Sequence, residues 1–355
     1  MYSTKQTSEV LPEMKELQPL LTPFQEPSLR QSIWQLCTSL LPYLFLWYLM
    51  VRSLAVSYWL TLALMVPAAG FLARIFIIFH DCGHNSFFAS TRANKIVGSI
   101  LGLLVFTPGE QWWHAHAIHH ATASNLDKRG VGDVKTLTVQ EYLNSSGLDR
   151  LKYRLFRFPP IMFLLGPFYM FFIMQRFALP RFGKKETDSV VYANLELAAI
   201  VIVMSLLIGW KAYLIIQIPL MSLAGAFGIW LFYVQHQFEY MYWDHNDQWS
   251  YVASALKGAS YYKLPRLLKW FSGNIGFHHI HHLSPRIPNY YLDRCYNKNP
   301  LLQKWGRKIT IWSSFRCMKY SLWDEVQGKM IGFGDLKAYQ TVPVRATTKQ
   351  RSYNK

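Results

Sequence analysis

The 355-residue sequence predicts an all-α integral membrane protein: four main transmembrane helices in two hairpins, interfacial helices, and a histidine-rich cytoplasmic cap. Three observations predict it. First, 51% of residues are hydrophobic and only 16% charged, and several runs of about 18 or more residues carry almost no charge, the length a helix needs to cross a bilayer. Second, the net charge of +17, with a pI near 9.7, comes from Lys and Arg placed between the apolar runs and in the tail. Basic residues retained on the cytoplasmic face explain that placement better than nucleic acid does. Third, all twelve histidines lie beyond residue 79, most of them in clusters or beside the ends of apolar runs.

The elements follow in order. Residues 1–30 read as a loose polar arm with Pro12, Pro19, Pro23 and Pro27 and no apolar region of a secretory signal. The first apolar run is 33–51, where Pro42 introduces a kink that a membrane helix tolerates. Arg52 and Ser53 mark a sparse turn. The next run, 54–79, exceeds one span and contains Arg74, whose burial at mid-bilayer would cost roughly 2.5–3.5 kcal/mol. Arg74 is therefore expected at the cytoplasmic interface, with the helix continuing outward to carry His80 and His84. The run 96–106 is too short to span and suits a re-entrant or interfacial segment. Residues 158–177 are apolar enough to span. Arg150, Lys152, Arg154 and Arg157 before them, and Arg176, Arg181, Lys184 and Lys185 after, place both ends on the cytoplasmic side. The runs 192–209 and 212–234 form a tight hairpin about Trp210 and Lys211. Between 257 and 271, Lys257, Lys263, Arg266 and Lys269 alternate with Tyr261, Tyr262, Leu264, Leu267, Leu268, Trp270 and Phe271, a mixture suited to the headgroup layer. The expected organisation is an arm (1–30), a membrane domain (31–300) and a basic cytoplasmic tail (301–355). Cys37, Cys82, Cys295 and Cys317 form no CxxC pair, which fits a reduced, cytoplasm-facing protein.

The histidine spacings carry the chemistry. His80 and His84 form HxxxH; His116, His119 and His120 form HxxHH; His278, His281 and His282 form a second HxxHH; His236 stands alone past the fourth run. On a helix, positions i and i+4 share a face and can grip one metal. Positions i+3 and i+4 differ by about 100°, so the adjacent histidines of HxxHH can serve two different ions. Eight imidazoles, nine with His236, are too many for one ion and suit a pair. Imidazole accepts zinc, iron, copper or nickel, but structural zinc closes its shell with four ligands. A reactive redox pair fits so many histidines better. His114 and His279 are off the spacing and read as supporting or packing residues. His245, in WDHNDQW, reads as solvated.

At these residues the sequence resembles the membrane fatty acid desaturase family, most nearly its bacterial, Bacillus-type Δ5 acyl-lipid branch. The stretches that carry the resemblance are ARIFIIFHDCGHNSFF (73–88), HAHAIHHATASNLDKRG (114–130), GIWLFYVQHQFE (228–239) and GNIGFHHIHHLSPRIPNYYL (273–292). The resemblance implies a site of two Fe2+ ions with O2 as co-substrate. His80, His84, His116, His120 and His281 would hold one iron, and His119, His236, His278 and His282 the other, with Asn274 placed to hold a bound water. The first box has three residues between its histidines where some animal relatives have four. No catalytic residue is expected beyond the metal ligands. Asp81, Asp127, Glu110 and Glu239 are candidates to orient imidazoles.

The implied reaction is formation of a cis double bond in the acyl chains of membrane phospholipids, at Δ5. The enzyme would sit in the plasma membrane of a bacterium, with its boxes and both termini cytoplasmic. It would draw electrons from a separate donor such as ferredoxin or flavodoxin, since no fused haem or flavin module is evident. A hydroxylase or ketolase on the same metals is the nearest alternative. A histidine-rich metal transporter is a rival of another class. Transport sites usually lie at mid-membrane on broken helices, whereas these boxes lie beyond the apolar runs.

Overall fold

The computed structural model describes residues 10–340; the last stretch of the expected tail, 341–355, lies outside them. Four helices are long and apolar enough to cross a membrane: α2 (Leu29–Ser53), α3 (Tyr58–Gly83), α9 (Lys184–Ile208) and α10 (Trp210–His236). At 1.5 Å per residue they run about 38–41 Å, enough to cross roughly 30 Å of hydrocarbon and emerge beyond it. They pair as expected, α2 with α3 and α9 with α10. Ser57 caps α3 by accepting from the Trp59 amide. Gly209 makes the second turn with φ +85°, a left-handed value that costs glycine little. α3 is the central helix: 56% of its apolar window is buried, against 11% for α9, which presents its side chains outward. α2, α3 and α10 carry Pro42, Pro67 and Pro219 without interruption, as spans packed among neighbours tolerate.

The remaining elements form the cap and its edges. α1 (Met14–Leu21) precedes the spans; α4 (Thr91–Leu104) and α5 (Gly109–Thr122) follow the first hairpin. Next come β1 (Leu137–Thr138), α6 (Val139–Asn144) and α7 (Gly147–Arg157). The apolar stretch Ile161–Arg176 is not a straight helix. Two π-helical turns flank the short α8 (Gly166–Phe168), and the stretch is bent by 65° from α7. Pro159, Pro160 and Pro167 account for the break, each lacking an amide hydrogen. After α10 the chain builds α11 (Tyr251–Gly258), β2 (Tyr261–Lys263), α12 (Arg266–Phe271), α13 (His278–Leu283), α14 (Asn289–Lys298), α15 (Pro300–Gln303), β3 (Lys308–Thr310), α16 (Ile311–Cys317), β4 (Leu322–Asp324) and β5 (Lys329–Ile331). β2 pairs with β3 in parallel; β4 lies between β1, parallel, and β5, antiparallel. These short strands tie distant parts of a helical protein together.

Three expectations change. The stretch from residue 10 to 28 is not loose. Leu17 and Leu21 are fully buried, sharing a core with Tyr262, Cys295 and Leu302, and Gln25 Nε2 donates to Ser284 Oγ at 2.9 Å. Residues 301–340 are folded too, with Leu302, Ile309 and Cys317 buried. Both segments contribute apolar side chains at spacings too short to read as a span. The basic stretch 257–271 turns most of its rings inward. Tyr262 is buried, Tyr261 stacks on Phe277 and Phe271 meets Phe71, leaving Leu267 (66%) and Trp270 (38%) as the exposed apolar side chains. Arg74 meets that stretch directly. Its guanidinium lies 4.0 Å from the centre of the Trp270 ring and donates to the Trp270 carbonyl, contacts that offset part of the cost of a buried cation.

Candidate metal centre

Four helix ends converge. α3 brings His80 in its last turn and His84 as its C-terminal cap; α5 brings His116, His119 and His120; α10 ends on His236; α13 brings His278, His281 and His282. Local sequence sets each approach. Gly83 lets α3 and α5 close up: a Cβ there would stand 2.2 Å from the Trp113 ring. Before α13, Gly273 and Asn274 are both left-handed (φ 53° and 58°), and a Cβ on Gly273 would meet Ile77 at 2.8 Å. That turn seats α13 against α3.

The nine imidazoles fall into two groups. His80, His84, His116, His120 and His281 each offer a ring nitrogen within 4.8 Å of the others, and His119, His236 and His282 do the same. His278 adjoins the second group, its Nε2 lying 2.8 Å from that of His236 and 3.1 Å from that of His282. The other close Nε2 pairs are His116–His120 at 3.1 Å, His120–His281 at 3.0 Å, His119–His236 at 3.3 Å and His236–His282 at 3.1 Å. Two nitrogens each about 2.1 Å from one ion, at right angles, would lie about 3.0 Å apart, a separation these spacings match. The rings of His120 and His282 stack 4.2 Å apart and form a wall between the groups. Burial, and then repulsion between neighbouring rings, holds His116, His120, His281 and His282 well below the usual histidine range. Neutral imidazole is the form that offers a lone pair to a metal.

Each group contains one histidine backed by a carboxylate. His80 Nδ1 lies 2.9 Å from Asp81 Oδ1, and His119 Nδ1 lies 2.6 Å from Asp133 Oδ1. A carboxylate only accepts, so the proton sits on Nδ1 and the Nε2 lone pair is left to face inward. The second Asp81 oxygen accepts from the Asn289 amide at 2.7 Å and from Asn289 Nδ2 at 2.8 Å, while Asn289 Oδ1 accepts from Gln35 Nε2 at 2.9 Å. The first span thereby braces a histidine of the first group. Asn274 donates to the Asn289 carbonyl at 3.0 Å and belongs to the same brace.

Of the four acids expected to orient imidazoles, Asp81 does so for the boxes. Glu110 instead pairs with Lys95 and Lys185, Glu239 accepts from Tyr320, and Asp127 bonds His245. Asp133 was not legible as an orienting acid because it lies 14 residues from its partner. Its signal is the preceding Gly130-Val131-Gly132. Gly132 has φ +70°, and a Cβ there would press on His119 Cβ and the Ala115 carbonyl, each at 3.0 Å. The loop reaches α5 only because that residue is glycine. The three remaining histidines stay outside both groups. His114 stacks on Phe182 and meets Glu186, and His279 is buried against Gly306. His245 is not simply solvated: it bridges Asp127 at 2.8 Å and Glu325 at 3.1 Å.

Membrane-length helices with buried, convergent imidazoles at their ends define a polytopic membrane protein with a metal site. Residues 57–312, which include every histidine box, match the family described as "Fatty acid desaturase". The chain is 46% identical over 341 residues to the "Fatty acid desaturase" of Bacillus subtilis (strain 168), covering 96% of this chain and 95% of that protein. It is 29% identical to the "Omega-3 fatty acid desaturase, endoplasmic reticulum" of Vigna radiata var. radiata, covering 90% of each. It is 24% identical to the "Temperature-sensitive sn-2 acyl-lipid omega-3 desaturase (ferredoxin), chloroplastic" of Arabidopsis thaliana, covering 81% of this chain and 70% of that protein. The chain belongs to the fatty acid desaturase family. It is an oxidoreductase that desaturates fatty acids.

Proposed function

We propose that the protein introduces a cis double bond, at Δ5, into acyl chains that are still part of membrane phospholipids. His80, His84, His116, His120 and His281 hold one iron, and His119, His236, His278 and His282 hold the other. The single observation that carries this reading is the division of nine imidazoles, eight of them on buried residues, into two adjoining groups at the ends of membrane-length helices. When bound, the iron pair supplies from O2, with two electrons, the oxidising power that no side chain has. The chain's own part is geometric. Asp81 and Asp133 fix two imidazole tautomers, and burial keeps His116, His120, His281 and His282 neutral. α3 and α10, whose ends carry His80, His84 and His236, bring the site to the end of the spans.

Both termini and all boxes are assigned to the cytoplasmic face of a bacterial plasma membrane, with ferredoxin or flavodoxin as a separate electron donor. The Arabidopsis relative's name, with its "acyl-lipid" and "(ferredoxin)", supports the substrate and the donor. The test is expression in a desaturase-free bacterium whose phospholipid chains are labelled before new fatty acid synthesis is blocked. Mass spectrometry with double-bond localisation is expected to find Δ5 unsaturation in the pre-labelled chains. Unsaturation confined to newly made chains would reject the lipid substrate, and hydroxylated chains would reject desaturation at this site.

A further inference from the structure

The loop-to-membrane transition before Ile161 contains an element whose outer face no part of the described chain covers. In α7, Leu148, Leu151 and Leu155 are 61%, 53% and 47% exposed. At 100° per residue they lie within about 60° of one another, opposite the buried Tyr153 and Arg157. Lys152 and Arg154 flank the stripe on its two sides, and Phe158, just past the helix end, is 52% exposed. Three exposed leucines in a stripe on an eleven-residue helix would be a liability in water. With the exposed Lys152 at their edge they suit a helix lying in a headgroup layer, with apolar side chains down and the ammonium reaching phosphates.

The chain's path names the occupant. α7 leads through Phe158, Pro159 and Pro160 into the bent stretch Ile161–Arg176, where Leu164 and Leu165 are 69% and 62% exposed. The 65° bend turns α7 away from the direction of that apolar stretch, as a change from in-plane to inserted chain requires. We propose that α7 is an in-plane membrane helix whose Leu148–Leu151–Leu155 face rests on the phospholipid leaflet, with Lys152 at the lipid phosphates and Arg154 held back on the protein by Tyr142 and Phe333. Its inner face reaches the metal centre. Arg157 donates to Gln237 Oε1 at 2.7 Å, to the Tyr320 carbonyl at 2.6 Å and to the Tyr233 hydroxyl at 3.2 Å. Gln237 directly follows His236. One helix therefore links the leaflet surface to the second histidine group and sets the depth of that group relative to the lipid.

The test places a nitroxide label on single cysteines in the full chain, with Cys37 replaced by Ser; the other three native cysteines are buried. Leu151→Cys, Leu155→Cys and Lys152→Cys are compared with Val326→Cys, a 93% exposed position in the turn between β4 and β5. The protein is reconstituted in nanodiscs of mixed zwitterionic and anionic phospholipid, and relaxation by O2 is measured against a water-soluble nickel chelate. Labels at Leu151 and Leu155 are expected to favour O2 severalfold over the label at Val326, with Lys152 in between. Labels at Leu151 and Leu155 that behave as Val326 does would overturn the proposal and leave the face to water or a protein partner. These labels report on α7 alone, so the result is independent of which acyl chain is oxidised.

Discussion

At the scale of residues, the metal centre was largely legible because helical geometry turns spacing into position. HxxxH and HxxHH put imidazoles on shared faces whatever surrounds them, and the nine residues singled out from spacing and resemblance are the nine that converge. Their supporting acids were less legible, since a carboxylate that reaches an imidazole through a loop leaves no periodicity. Asp81 is adjacent to its partner and was found; Asp133 arrives through a glycine turn and was not. Asp81→Asn and Asp133→Asn are each expected to lower metal affinity by about 10–100-fold while the protein stays folded, as read by metal titration and thermal unfolding. Unchanged affinity in both would remove the orienting role. His245 offers a contrast. Its bond to Asp127, and then that to Glu325, raises its pKa above the ordinary value. Stability gained from this raised value is fully present below about pH 6.5 and is lost as pH rises through it. The site is half exposed, so His245→Gln is expected to cost under about 1 kcal/mol, with the cost visible at low pH and fading in alkali. Metal content should be unchanged. A cost that grows with pH would contradict the ion pairs.

At the scale of elements, the four spans were legible from length and charge; most of their bounds lie further out than expected, while α3 starts four residues later and α9 ends one residue earlier. Helices continue past the apolar run when polar ends can be satisfied outside it, as α3 does in carrying His80 and α9 in starting at Lys184. Short elements were the difficulty. α1 buries two leucines in a segment rich in proline and charge, and β2 turns inward rings that alternation with lysine made look lipid-facing. Tertiary contacts, not local pattern, decide those cases. The junction of α3, α4 and α5 rests on one aromatic ring: Trp113 fills the space left by Gly83 and by Gly98, where a Cβ would lie 2.6 Å from the ring. Gly83→Ala is expected to destabilise by about 1–3 kcal/mol through overpacking, and to reduce metal retention with it because His80 and His84 flank the site. A thermal midpoint equal to the parent's would show that α3 and α5 can part without cost.

At the scale of the molecule, the fold is a device for holding a wet-chemistry ligand set at the end of dry helices. The spans alone provide three of the nine imidazoles, His80 and His84 at the end of α3 and His236 at the end of α10. The cap provides the rest by folding α5 and α13 back against those ends. Neither half holds a complete group, so the histidines couple membrane insertion to assembly of the cap. The most direct measurement is the metal content and Mössbauer spectrum of the purified full chain loaded anaerobically with ferrous iron. Two iron ions per chain in two nitrogen-rich environments are expected, with His84→Ala weakening one signal and His278→Ala the other. A single iron environment, or one that responds equally to both substitutions, would contradict the assignment of two groups to two metals.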